Sequence, residues 1–177
     1  MKNNITTQQL KDILRYEKNR EIYFRTLRST IAILLVVASI AVLLSAEFFP
    51  VLKVVGTSME PTLENGQLVM AVKTTDFEQG DIIAFYYNSK ILVKRVIAQA
   101  GDYVDIDEEG NVYVNNTKLD ESYITVKSSG ESDISFPYQV PESRVFVLGD
   151  NRSVSVDSRN SVIGCISEEF IIGKILI

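Results

Sequence analysis

The run Asp81-Ile-Ile-Ala-Phe-Tyr-Tyr-Asn-Ser-Lys-Ile-Leu-Val-Lys-Arg-Val-Ile-Ala-Gln99 decides the architecture of most of this 177-residue chain. Two β-branched and aromatic segments, Asp81–Tyr87 and Ile91–Gln99, flank the polar triplet Asn88-Ser-Lys90, which is the layout of an antiparallel hairpin. Working outward, short runs of the same texture recur at Gln67–Val72, Tyr103–Ile106, Val112–Val114, Arg144–Leu148, Ser161–Ile166 and Gly173–Ile177. Glu108-Glu-Gly-Asn111 supplies a second polar turn. Ser167–Ile171 has room for one turn of helix, and the Ser-, Gly- and acid-rich stretch Lys127–Pro141 reads as a surface excursion. No long helical period follows Pro50. The expectation is a mainly β fold for residues 50–177, an antiparallel and partly closed sheet.

Before Pro50 the pattern is different. No charge occurs from Ser29 to Ala46, and 18 helical residues reach about 27 Å at ~1.5 Å each, close to the ~30 Å hydrocarbon core of a bilayer. Phe48, Phe49, Val51 and Leu52 extend the apolar character past Glu47. A buried core helix would carry a polar stripe, which this segment lacks, and 28 residues ahead of the apolar run are too many for a cleavable leader. Residues 29–49 therefore read as a transmembrane helix that stays attached. Thr6-x-x-Gln9 has the form of a capping box, and Leu10, Ile13 and Leu14 follow at helical spacing, so residues 1–28 read as a basic juxtamembrane segment. They hold seven bases against three acids, which predicts a cytoplasmic N-terminus and an extracytoplasmic domain over residues 50–177.

Composition removes several function classes. The chain has no histidine, so neither a Ser-His-Asp triad nor a Cys-His pair is available. Zinc sites lean on histidine and multiple cysteines, and the single Cys165 sits in the apolar run Val162–Ile166 as a structural thiol. No metal and no cofactor is expected. Residues 29–177 hold 11 bases against 20 acids, which argues against nucleic-acid binding. Hydrolytic chemistry would need a lysine or carboxylate as base.

Three segments could carry such chemistry. Val55-Gly-Thr-Ser-Met-Glu-Pro-Thr-Leu63 places Ser58 in a turn shaped by Gly56 and Pro61, where backbone N–H groups can meet an oxyanion. In Ile91-Leu-Val-Lys-Arg-Val-Ile97, strand alternation puts Lys94 on one face with Leu92 and Val96, where desolvation lowers an amine's pKa. Gly149-Asp-Asn-Arg-Ser-Val-Ser-Val-Asp-Ser-Arg159 packs two acids, two arginines and three serines behind the apolar Val145–Leu148. Taken singly, each has a plain alternative. Ser58 fits a turn serine, Lys94 a lysine reaching out of an apolar strand, and the last segment a solvated loop.

Taken together, they resemble the bacterial type I signal peptidases. The matching residues are Gly56-x-Ser58-Met59-x-Pro61-Thr62, Gly80-Asp81-Ile82-Ile83, Lys94-Arg95-Val96-Ile97, Gly101-Asp102 and Gly149-Asp-Asn-Arg-x-x-Ser-x-Asp-Ser-Arg159, in order, over roughly residues 30–177. The short insert between Lys94 and Asp150 is similar to the compact Gram-positive members. The resemblance implies a membrane-bound serine endopeptidase that cleaves N-terminal signal peptides from exported preproteins, held at the lipid bilayer of the cell membrane by a single span.

The same resemblance implies that Ser58 is the acylating nucleophile and Lys94 its general base. Ser155 would orient the amine, Asp157 and Arg159 would pair, and Asp150 would partner Arg95. Gly56, Ser58 and Met59 would form the oxyanion and substrate-binding stretch. Some members carry a serine where this chain has Gly56, so the oxyanion would rest on backbone donors. Two other classes remain open at this point: a related enzyme with a restricted client, and a non-catalytic assembly factor on the same fold. Retention of both Ser58 and Lys94 argues against the second.

Overall fold

The computed structural model describes residues 7–176, which divide into two compact units at Glu47/Phe48. The first unit is helical. Helix α1 runs unbroken over Thr7–Phe48. No glycine or proline interrupts this span, so nothing in the backbone separates the basic segment from the apolar one. Pro50 then makes continuation of the helix unfavourable. The Thr6 capping position lies outside the described residues. Every α1 side chain described up to Ser45 is exposed. Thr30, Ser39 and Ser45 donate their hydroxyls to the carbonyls of Thr26, Leu35 and Ala41 at 2.8–3.0 Å, which satisfies those groups inside the helix. Among the described residues α1 is the one helix long and apolar enough to cross a membrane.

The second unit is built from eleven strands: β1 (Val51–Lys53), β2 (Leu68–Val72), β3 (Ile82–Tyr87), β4 (Lys90–Ala98), β5 (Tyr103–Ile106), β6 (Val112–Val114), β7 (Thr117–Lys118), β8 (Tyr138–Gln139), β9 (Arg144–Leu148), β10 (Ile166–Ser167) and β11 (Ile171–Leu176). They form a seven-stranded sheet ordered β1-β2-β11-β3-β4-β9-β10 and a four-stranded sheet ordered β7-β6-β5-β8. All pairings are antiparallel, and β1 and β10 are left as edges of an unclosed sheet. The expected mainly β, antiparallel fold is the one found.

The central strands read as continuous apolar runs because both of their faces are covered. Ile82 and Ala84 of β3 pack with Val54, Met59, Leu63 and Ile175, whereas Ile83 and Phe85 pack with Val96, Val145, Val147 and Ile166. Strand β9 alternates likewise. Its Val145 and Val147 join the latter cluster, while Phe146 and Leu148 face a third core with Ile97, Val104, Val112 and Val140. That third core joins the two sheets. The β3–β4 hairpin turns at Asn88, whose φ of 53° suits a short polar side chain.

Four expectations need correction. Ser161–Ile166 is not a strand: the N–H groups of Ile163 and Gly164 fold back onto Asn160 O, and only Ile166–Ser167 pairs, with β9. The C-terminal strand starts earlier, at Ile171, and a 3-10 turn at Glu168–Phe170 precedes it; Ile177 lies outside the described residues. The very short β1, β7 and β8 had too few residues to show an alternation. Finally, Lys127–Pro141 is not a plain surface loop, because Phe136 and Tyr138 pack on the third core and Ser129 O accepts from Arg159 Nη1 at 2.9 Å.

Candidate active site

Ser58 lies in the loop between β1 and β2. Gly56 adopts φ 98°, a conformation L side chains rarely reach, and its N–H donates to Asn65 Oδ1 at 3.0 Å. Beyond the turn, Met59 and Leu63 are buried and linked by a backbone hydrogen bond of 2.9 Å. The loop is thereby anchored in the core on one side, with half-buried Ser58 at its rim. The Ser58 N–H has no acceptor among the described residues. Gly56 is different: its N–H is already committed to Asn65, so it shapes the turn. Met59 contributes a wall, since its side chain is only 2% exposed.

Lys94 reaches this serine from β4. Its Nζ stands 2.6 Å from Ser58 Oγ. Burial pushes the amine down from 10.5 to about 8; the nearby Asp157 carboxylate opposes that shift, and the Arg159 guanidinium reinforces it. A lysine so placed is neutral in an appreciable fraction of molecules near neutral pH and can accept a proton from a hydroxyl at hydrogen-bond distance.

The loop Gly149–Arg159 holds the serine turn from the other side. Asn151 donates its N–H to Ser58 O at 3.0 Å and its amide to Thr57 O at 3.2 Å. Gly149 must lack a side chain, because a Cβ there would meet Ser155 Oγ at 2.2 Å and Ser58 O at 2.5 Å. Two buried ion pairs flank this contact. Asp150 receives Arg95 bidentately, Nε to Oδ1 at 2.9 Å and Nη2 to Oδ2 at 2.6 Å. It also accepts from the Thr62 hydroxyl. Asp157 receives Arg159 Nε and Nη2 at 2.8 and 2.9 Å, while its Oδ2 accepts the Gly149 N–H at 3.0 Å. Such forked pairs are geometrically selective, and every charge in them is compensated. Ser155 does not reach Lys94 here; its buried hydroxyl has no partner among the described residues.

Beside Ser58 and Lys94 a cleft of about 270 Å³ opens, walled by Val51–Val55 on one side and Ile91–Val93 on the other. Both walls carry free backbone edges. Strand β1 pairs only with β2. The first half of β4 pairs with β3, whereas β9 begins to pair only from Arg95 onward. An extended peptide fits such a gap by completing the sheet.

Comparisons with known proteins give the family. The family model described as signal peptidase, peptidase S26, matches residues 27–177. The chain belongs to this family. It is 34% identical over 156 residues to signal peptidase I of Bacillus licheniformis, covering 79% of this chain and 81% of that protein. It is 36% identical over 140 residues to signal peptidase IB of Staphylococcus aureus, covering 68% and 72% respectively. A crystal structure of a signal peptidase I from Enterococcus faecalis aligns with a TM-score of 0.49 at 27% identity, covering 57% of this chain and 97% of that one.

Some residues around this cleft escaped sequence reasoning. Tyr123 lays its ring 3.9 Å from the Arg95 guanidinium carbon, and Glu121 pairs with the fully buried Arg152, whose Nε donates to Gly149 O at 3.1 Å. Arg95 Nη1 also donates to Gly80 O at 2.7 Å. Nothing local marks Glu121 or Tyr123, because both belong to a polar stretch and acquire their partners only on folding. Asn151 and Thr62 lay inside quoted motifs, but their partners could not be read there. The Cys165 thiol is buried, with its pKa pushed up to about 11 by that burial, as befits a structural cysteine.

Proposed function

We propose that this chain is a membrane-bound serine endopeptidase that removes N-terminal signal peptides from exported preproteins, with Ser58 as nucleophile and Lys94 as general base. The observation that carries the reading is the 2.6 Å separation of Lys94 Nζ and Ser58 Oγ at an amine whose pKa burial lowers to about 8. In its neutral form Lys94 accepts the hydroxyl proton as Ser58 Oγ attacks the scissile carbonyl. The resulting ammonium gives that proton to the leaving amine, so the C–N bond breaks as the acyl-enzyme ester remains. Neutral again, Lys94 takes a proton from water, whose oxygen attacks the ester and releases Ser58. The Ser58 N–H, with no other acceptor among the described residues, faces the developing oxyanion.

The remaining roles are supporting ones. Asp150 with Arg95, and Asp157 with Arg159, brace the loop that holds the Ser58 backbone. The unpartnered Ser155 hydroxyl is available to the Lys94 amine when substrate enters. Met59 lines the substrate wall, and Gly56 sets the turn. Residues 29–49 span the lipid bilayer of the cell membrane, residues 1–28 are a cytoplasmic basic segment, and residues 50–177 are extracytoplasmic. Basic residues before an apolar span favour that orientation. No metal or cofactor takes part in this mechanism.

The test is cleavage of a precursor peptide by the purified full-length chain, alongside Ser58→Ala and Lys94→Ala. Turnover should disappear in both variants while each still unfolds in a single cooperative transition. Cleavage at the wild-type rate by either variant would remove that residue from the mechanism.

A further inference from the structure

The cleft beside Ser58 carries charge of one sign. Among the eleven residues lining it are two lysines, Lys53 and Lys94, and no carboxylate, although residues 29–177 hold 20 acids against 11 bases. Lys94 is taken up by its contact with Ser58 Oγ at 2.6 Å, which leaves Lys53 as the cation of this cleft that faces solvent. It is exposed on the edge strand β1, its backbone in register with Leu68 of β2, and its ammonium forms no hydrogen bond or ion pair among the described residues. The burial pattern fixes its direction. Leu52 and Val54 turn inward to pack with Met59 and Leu63, whereas Val51, Lys53 and Val55 are exposed on the outer face.

A peptide strand lying against β1 must alternate in the same way. One set of its side chains enters the apolar wall formed by Leu52, Met59 and Val93. The other set stands on the outer face with Lys53, within reach of its long side chain across strands ~4.8 Å apart. We propose that Lys53 determines specificity by favouring substrates with an acidic side chain on the outer face of the segment preceding the scissile bond, and that it does so at alternate positions. This rests on the endopeptidase reading above and adds to it a charge preference that the apolar wall alone would not produce. An anionic lipid headgroup offers Lys53 the same kind of charge. The free β1 edge and the cleft shared with Ser58 favour the peptide.

The experiment uses the full-length chain in zwitterionic detergent. Peptides share one neutral cleavage segment and carry Gln, Glu or Lys in turn at each of the four positions before the residue that is cleaved. At low salt, kcat/KM for Glu over Gln should rise about three- to fivefold at alternate positions only, the size expected of a surface ion pair. Lys should lower it similarly, and molar salt should flatten both effects. Lys53→Gln should abolish the ratio and Lys53→Glu should invert it; because each ratio is internal to one variant, changes in overall rate do not obscure it. Unchanged ratios in the variants, or equal effects at adjacent positions, would overturn the proposal. So would a Lys53→Glu loss that is identical for every peptide and appears only on anionic vesicles, which would assign Lys53 to lipid. Cleavage of all peptides without charge preference refutes the Lys53 role alone, whereas failure of the wild type to cleave any of them refutes the endopeptidase reading.

Discussion

Titrating Lys94 tests the mechanism most directly. With a pKa of about 8, about 9% of the amine is neutral at pH 7 and about 90% at pH 9. An unshifted lysine near 10.5 would be about 0.03% neutral at pH 7. The shift is thus worth about a 300-fold larger population of competent base at neutral pH. On a peptide free of groups titrating between pH 6 and 10, kcat/KM should climb about tenfold from pH 7 to 9 and then level off. Lys94→Arg should show no such limb, because a guanidinium does not release its proton in this range. A flat profile, a fall with rising pH, or an inflection near 10.5 would refute the argument that burial makes Lys94 the base.

The same shift has a consequence for stability, with its sign fixed by proton linkage. Between pH 8 and 10.5 the unfolded chain holds the Lys94 proton that the folded chain has lost, so stability rises with pH across that window. Below it, the folded protein bears the full cost of a buried ammonium, about 3 kcal/mol for a shift from 10.5 to about 8. The stability difference between wild type and Lys94→Met should therefore move by about 3 kcal/mol in favour of wild type from pH 7 to 11. Denaturant midpoints of the detergent-solubilised chain measure it, and a pH-independent difference would contradict the desolvation argument.

Three substitutions probe the brace. Gly149→Ala places a Cβ 2.5 Å from Ser58 O, so it should cost about 1–3 kcal/mol of stability and lower kcat far more than it changes KM; wild-type kcat would show that the contact does not position Ser58. Asp150→Ala leaves the Arg95 guanidinium buried and unpaired, so a thermal or urea midpoint should report a loss of about 3–5 kcal/mol, whereas a loss below 1 kcal/mol would mean water replaces the carboxylate. Ser155→Ala removes a hydroxyl that has no partner among the described residues; its unfolding midpoint should not fall, while a kcat reduced at least tenfold would place the hydroxyl on the Lys94 amine during turnover and an unchanged kcat would exclude it.

What the linear sequence determined by itself is local and repetitive. A helix free of glycine and proline with 18 uncharged residues, and runs of β-branched and aromatic residues punctuated by turns, set the helical unit and the β unit because periodicity and backbone freedom act over a few residues. The absence of histidine excluded imidazole chemistry, and the ordered motifs pointed to the family. Tertiary structure decided what depends on distance and dielectric. Ser58 and Lys94 are 36 residues apart in sequence and 2.6 Å apart in space, and the amine's depressed pKa exists only because folding removes it from water. Nothing in the sequence singles out Glu121 or Tyr123; the fold sets them against Arg152 and Arg95. The cleft, likewise, follows from β1 and half of β4 lacking neighbours, a property of how the strands pair and not of any one strand.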